Sequence, residues 1–116
     1  MTKLFLGIVF ALVAASAQAH AHLKASDPKE GAVVTAIPTA ISLTFSESAR
    51  ITAVSIQKDK EPKQKLPAPS GTGEKISVEV PKLAAGSYTL TWRVASTDDN
   101  HIMSGELHFT VTLNTP

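Results

Sequence analysis

The chain has four histidines, and three of them occupy positions that suit metal binding. His20 follows Ala17-Gln18-Ala19, small residues at the positions that signal peptidase recognises. Cleavage after Ala19 would leave His20 with a free amine beside its own imidazole. These two nitrogens can chelate a metal in a six-membered ring, and nitrogen ligands of this kind suit Cu(II). The alternative is a loose terminus that binds no metal, because chain termini are usually loose.

A second pair of metal-ligand residue types lies in residues 96–101. Asp99 and His101 are two residues apart, so an extended backbone would place both side chains on one face. A carboxylate and an imidazole on one face form half of a metal site. The alternative is a hydrogen-bonded pair at a turn. Asp98 adds a second acid next to Asp99, so either aspartate can be the ligand.

His22 offers a competing way to bind a metal. The start His20-Ala21-His22 places a histidine third from the free amine. Such a terminus can bind Cu(II) through the amine, two deprotonated amides and the third imidazole, and it needs no fold. Alternation along the chain points Leu23 inward and His22 outward, which permits this mode. We interpret the fourth histidine, His108, as a surface residue on the polar face of the last predicted strand.

The composition excludes several other classes of function. The absence of cysteine excludes a disulfide scaffold, a thiolate metal site and a thiol nucleophile. A formal net charge of +1 leaves no basic footprint, so we expect no nucleic-acid partner. No glycine-rich phosphate-binding loop occurs. A hydrophobic content of 43% over 116 residues is that of one globular domain.

Residues 1–19 have the features of a cleaved signal peptide. Lys3 is followed by an apolar run at residues 4–15, which is shorter than the roughly 20 residues of a membrane-spanning helix. The alternative is an uncleaved membrane anchor. We expect residues 20–116 to be the exported domain. Export without cysteine suits the periplasm, where a fold need not depend on oxidation.

The elements that position these histidines are predicted to be β-strands. Apolar and polar residues alternate with period two, which puts one face of each strand on a core, and turn residues separate the alternating runs. Six or seven short antiparallel strands indicate an immunoglobulin-like sandwich or a small barrel, with a polar surface loop at residues 58–73. The predicted strands cover residues 22–25, 41–46, 51–57, 76–80, 88–94 and 107–113. The aromatic residues Phe45, Tyr88, Trp92 and Phe109 are predicted to lie in the core.

Four segments together resemble a known family. HAHLKASDPKEGA, ISLTFSE, GSYTLTWRVASTDDNH and GELHFTV are similar, in this order, to the CopC family of periplasmic copper-resistance proteins. The resemblance implies a Greek-key β-sandwich that binds one Cu(II) per chain. It implies His20 as a ligand through its amine and imidazole, with Asp99 and His101 as the Asp-x-His ligands. It also implies a glutamate near the copper, which here is Glu47.

Two departures from the family pattern affect these expectations. Asn100 stands between the aspartate and the histidine, where many members have glycine or threonine, and asparagine also suits a turn. The loop that is rich in methionine in some members has none here, and Met103 is the only methionine after Met1. Cu(I) prefers several soft sulfur ligands, so the resemblance implies a Cu(II)-only type. It further implies a role in copper tolerance or uptake and a CopD-like inner-membrane partner, and we expect a monomer.

Two other classes of function compete with a copper carrier. A small copper monooxygenase would use the same N-terminal histidine chelate, but it needs an open copper position for oxygen and a broad surface for a polymer. Asp99 would fill that position and the domain is small, so we expect a protein that is not an enzyme. The third class is an adhesion or assembly sandwich whose histidines bind no metal.

Overall fold

The computed structural model describes residues 22–113, and within that range the chain forms seven β-strands and no helix. The strands are β1 (Leu23–Asp27), β2 (Ala32–Val34), β3 (Ala40–Lys58), β4 (Gln64–Leu66), β5 (Gly73–Glu79), β6 (Gly86–Ser96) and β7 (Ile102–Val111). The predicted all-β class is confirmed. Residues 22–113 include no helix of the length and apolarity needed to cross a membrane. The predicted signal peptide, residues 1–19, lies outside the described residues.

The long strand β3 joins the two layers of the sandwich. Its first half pairs with β1 and β5, and its second half pairs with β4 and β6. The register with β5 shifts between Thr44 and Ala49, where β3 leaves one layer for the other. The sequence predicted two separate strands at residues 41–46 and 51–57. They are continuous because no proline or glycine interrupts residues 46–50 and because Ala49 stays buried in the core.

The two layers meet through the apolar faces of their strands. Phe45, from the first half of β3, packs edge-to-face on Trp92 of β6, with the ring centroids 5.2 Å apart. Tyr88 of β6 stacks on Phe109 of β7. All four aromatic side chains are buried, as the alternation predicted. The other large side chains of the core are aliphatic: Ile41, Leu43, Ile51, Val54, Ile56, Leu66, Ile76, Val78, Leu83, Leu90, Val94, Leu107 and Val111.

The strand order along the main path is β1-β3-β6-β7-β2. Among the described residues, the pairings of β3 with β1, β4, β5 and β6 and the pairing of β6 with β7 are antiparallel, as predicted. The prediction is wrong for β2, which pairs with β7 in parallel. Alternating directions make β7 run opposite to β1. The turn at residues 28–31 reverses the chain, and β2 therefore runs with β7.

The sequence also missed two strands of three residues each, β2 and β4. β4 lies inside the predicted surface loop at residues 58–73, where Leu66 is buried and pairs with Val54. At the other end of the chain, β7 stops at Val111 and Leu113 is 44% exposed, although the alternation predicted that Leu113 belongs to the strand.

Candidate metal centre

Asp99 and His101 lie in the turn that joins β6 to β7. Ser96 donates its backbone N–H to the carbonyl oxygen of His101 over 2.9 Å, and Asn100 donates to the carbonyl of Ser96 over 2.9 Å. Asn100 has a φ of 59°, in the left-handed region that asparagine tolerates better than most residues. The backbone is therefore a tight turn. The expectation of an extended backbone at residues 99–101 is wrong.

The turn nevertheless brings Asp99 close to His101. Oδ1 of Asp99 accepts a hydrogen bond from the backbone N–H of His101 over 3.1 Å, so the carboxylate folds back toward the histidine. Both residues are exposed to solvent. A short turn closed by hydrogen bonds limits how far the two side chains can move apart. The structure therefore holds these two exposed residues in one short turn, by a different route from the one the spacing suggested.

The same turn is fastened to the middle of β3. Thr97 donates from its backbone N–H and from its hydroxyl to the carbonyl oxygen of Ser48, over 3.1 and 3.3 Å. Ala49 pairs with Ser96 in the ladder between β3 and β6. These contacts place the turn beside residues 46–48 of β3, which include Glu47.

A surface depression of about 280 Å³ lies between the turn and β3. It is lined by the acidic residues Glu47, Asp98 and Glu74, together with Ser46, Ser48 and Thr97. Three acidic side chains and no basic one at such a depression favour the approach of a cation. Asp98 thus lies with Glu47, whereas Asp99 folds toward His101.

Glu74 was missed by the sequence analysis. It follows Gly73, the first residue of β5, which pairs with Ala49 of β3. Only the register between β3 and β5 brings Glu74 next to Glu47. No local pattern in the sequence indicates that register, because the two residues lie on different strands and far apart in the sequence.

The beginning of the described chain reaches the same stretch of β3. Ser46 donates its backbone N–H to the carbonyl oxygen of His22 over 2.8 Å, and the backbone N–H of His22 donates to Oγ of Ser46 over 3.1 Å. Nδ1 of the His22 ring lies 3.2 Å from the same Oγ. His22 is exposed, as the alternation predicted.

His20 lies outside the described residues. It lies two positions before His22 in the sequence. Within residues 22–113, no group of three or more histidine, cysteine, aspartate or glutamate side chains could hold a metal ion.

His108 lies far from this turn, at the other half of β7. It lies six positions beyond Ile102, which is about 20 Å along a strand. His108 is exposed, as predicted, and its ring is flanked by two acids: Nδ1 lies 2.9 Å from Oε2 of Glu30, and Nε2 lies 3.5 Å from Oε1 of Glu106. The backbone N–H of His108 also donates to Oε1 of Glu30 over 3.0 Å. These bonds, the backbone one above all, lower the pKa of Glu30.

Comparison with known protein families shows which family this chain belongs to. The family model described as the CopC domain matches residues 23–112. The chain belongs to the CopC family. It is similar to copper resistance protein C of Xanthomonas campestris pv. juglandis, with 34% identity over 90% of this chain and 89% of that protein. It is also similar to protein YobA of Escherichia coli K12, with 39% identity over 86% of this chain and 85% of that protein.

Solved structures of CopC proteins share the fold. The crystal structure of CopC from Methylosinus trichosporium OB3b matches with a TM-score of 0.70 and 26% identity, covering 84% of this chain and 98% of that one. PcoC of Escherichia coli, described as a methionine-rich copper resistance protein, matches with a TM-score of 0.60 and 30% identity, covering 81% of this chain and 100% of that one. The expected immunoglobulin-like Greek-key sandwich of the CopC family is confirmed.

Proposed function

We propose that this CopC-family chain binds one Cu(II) and acts in copper resistance, copper homeostasis or copper uptake in the periplasm. The ligands would be His20, through its amine and imidazole, with Asp99 and His101; Glu47 would lie at the edge of the site. One observation carries the proposal: His22, the first described residue, and the turn at residues 97–101 are both bound by hydrogen bonds to the same short stretch of β3.

The donor set fits the metal. An amine, two imidazoles and a carboxylate supply three nitrogen atoms and one oxygen atom, and Cu(II) prefers nitrogen and oxygen ligands in a tetragonal arrangement. His20 would chelate with two atoms of one residue. Asp99 and His101 would close the site from the turn, and the carboxyl groups of the depression would attract the cation before it binds.

Cu(I) does not fit this chain equally well. Soft Cu(I) prefers several thioether or thiolate ligands. The chain has no cysteine, and its one methionine other than Met1 is Met103, which packs against the hydrophobic core. We therefore propose a Cu(II)-only protein, in contrast to a relative that is described as methionine-rich.

Export would complete the site. Removal of residues 1–19 would expose the amine of His20 in the periplasm, where a CopD-like inner-membrane protein is the proposed partner of the monomer. Two of the curated relatives are named copper resistance protein C, which agrees with a binding protein that is not an enzyme. Intact mass of the exported protein, with and without Cu(II), tests this directly. We expect a chain that begins at His20 and gains one copper; a chain that keeps its leader or binds no copper contradicts the proposal.

Substitution of the turn residues tests the ligand set. We expect His101→Ala and Asp99→Ala each to weaken Cu(II) binding roughly 100-fold or more, because loss of outer-shell partners alone costs about 10–100-fold. The matched control is His108→Ala, another exposed histidine, which should leave the affinity unchanged. Titration against a competing chelator measures all three. An equal loss for His108→Ala would show that the ligand set is wrong.

A further inference from the structure

The hydroxyl of Ser46 contacts two nitrogen atoms of His22. It accepts the backbone N–H of His22 over 3.1 Å and lies 3.2 Å from Nδ1 of the ring. A serine hydroxyl can accept one hydrogen bond while it donates its own proton to a second acceptor, so both contacts can be made together by a neutral imidazole. One side chain of β3 thus engages the backbone and the ring of the same histidine.

These two nitrogens are the ones that a competing copper complex would need. In a terminus of the form His20-Ala21-His22, Cu(II) can bind the terminal amine, the two deprotonated amide nitrogens of Ala21 and His22, and Nδ1 of His22. The amide protons of Ala21 and His22 then pass to solvent. This complex requires no fold and uses neither Asp99 nor His101.

We propose that Ser46 is a positioning residue that selects between the two copper-binding modes, by occupying the amide and Nδ1 of His22 and so keeping the chain start available for the folded site. This inference rests on the proposed function, because it assumes that His20 binds copper together with the turn. We call the complex formed by the terminal amine, the two amides and Nδ1 of His22 the terminal mode. To form it, the His22 amide would have to lose its proton and its hydrogen bond to Ser46. Nδ1 of the His22 ring would also have to give up its contact with the Ser46 hydroxyl.

The surroundings of Ser46 hold its hydroxyl in place. The backbone N–H of Ser46 donates to the carbonyl oxygen of His22 over 2.8 Å, and Leu23 pairs with Phe45 in the ladder between β1 and β3. Phe45, the residue before Ser46, is completely buried in the core. The strand at Ser46 therefore cannot move away from His22 without disturbing the core, and the contacts to His22 are made by a rigid part of the fold.

A matched pair of substitutions isolates the hydroxyl. Ser46→Val and Ser46→Thr introduce side chains of the same shape that both favour strands, and only threonine keeps a hydroxyl. The test uses the exported protein beginning at His20, loaded with one equivalent of Cu(II) at pH 7.5. The readouts are the visible d–d absorption band, the number of protons released per copper, and the melting curve that verifies folding.

We expect Ser46→Val to shift part of the copper into the terminal mode. Its d–d band should move to shorter wavelength, because four nitrogen ligands exert a stronger field, and it should release up to two more protons per copper than the unmodified protein. Ser46→Thr should behave like the unmodified protein. Adding His22→Ala to Ser46→Val should remove the new band, because the terminal mode then lacks its imidazole.

Two results would overturn the inference, and they differ in what else they affect. If Ser46→Val folds and matches the unmodified protein in band and proton release, while copper binding still depends on Asp99 and His101, Ser46 does not select the mode and the proposed function stands. If the unmodified protein already shows the amide-bound band and is indifferent to Asp99→Ala, both the selection by Ser46 and the proposed folded site are wrong.

Discussion

The conformation of Asn100 determines how Asp99 and His101 meet. The sequence placed a residue suited to a turn between Asp99 and His101, but it suggested an extended strand as the reason for their proximity. The structure shows a turn closed by backbone hydrogen bonds, with Asn100 at a φ of 59°. The spacing of Asp99 and His101 alone could not distinguish an extended strand from a tight turn, because residues two positions apart can lie near one another in both.

The amine of His20 provides the sharpest test at the scale of one residue. We expect one extra residue before His20 to weaken Cu(II) binding severely, because it converts the amine into an amide, which is a poor ligand at neutral pH. Chelator competition with the chain starting at His20 and with a Met-extended chain measures the difference. Equal affinities would show that the amine is not a ligand.

Glu30 gives a prediction about stability and pH. The backbone N–H and the ring of His108 hold the pKa of Glu30 below its ordinary value. A lowered carboxyl pKa stabilises the fold above the unfolded-state pKa, and that contribution is lost as the pH falls through the lowered value. We expect Glu30→Gln to reduce the free energy of unfolding by about 0.5–1 kcal/mol at pH 7, a small effect because the pair is exposed.

Urea unfolding at pH 7 and at progressively lower pH checks the prediction for Glu30. The difference between Glu30→Gln and the unmodified protein should disappear in acid, where the carboxyl group is protonated in both the folded and the unfolded states. Glu106→Gln is the matched control, since Glu106 lies 3.5 Å from the other ring nitrogen of His108 and accepts no bond from the backbone of His108. An equal loss for both substitutions, or a loss that persists in acid, would contradict the role of Glu30.

At the scale of elements, period-two alternation predicted the strands that bury one face. Most large apolar side chains of β3, β5, β6 and β7 lie in the core, whereas Ile102 at the start of β7 is exposed. The alternation did not predict β2 and β4, because three residues are too few to show a period. Each of these strands is defined by its pairing with a neighbouring strand. Two predicted strands are one continuous β3, because the change of layer happens within the strand and leaves no turn residues in the sequence.

The packing of β6 against β7 depends on a residue without a side chain. Gly105 lies opposite Trp92, and a Cβ at that position would overlap Cζ2 of the Trp92 ring. Trp92 cannot move aside easily, because it is buried and packs against Phe45. We expect Gly105→Ala to lower the free energy of unfolding by about 1–3 kcal/mol through overpacking.

Denaturant unfolding followed by the fluorescence of Trp92, the one tryptophan of the chain, measures the effect of Gly105→Ala. Ser104→Ala is the control, since Ser104 is the exposed neighbour of Gly105 on the same strand. If both substitutions leave the midpoint unchanged, the space beside Trp92 is not limiting.

At the scale of the whole molecule, the candidate copper site joins parts of the chain that are distant in sequence. The register of β3 brings His22, the first described residue, and the turn at residues 97–101 to the same stretch of that strand. Neither local propensity nor alternation indicates such a register, and the resemblance to CopC proteins alone suggested that these segments share a site. A site made in this way exists only in the folded state.

Copper should therefore raise the thermal stability of the fold. A ligand that binds only the folded state stabilises it by about 4 kcal/mol at a thousandfold excess over its Kd. Amine and imidazole nitrogens must lose their protons to bind, so the effect should fade below about pH 6. The terminal mode through His22 would bind the unfolded chain as well and would shift the melting temperature little. Melting curves with and without Cu(II) at pH 7.5 and pH 5 separate the two modes: a copper-dependent rise at pH 7.5 alone is expected, and stoichiometric binding without any rise would favour the terminal mode.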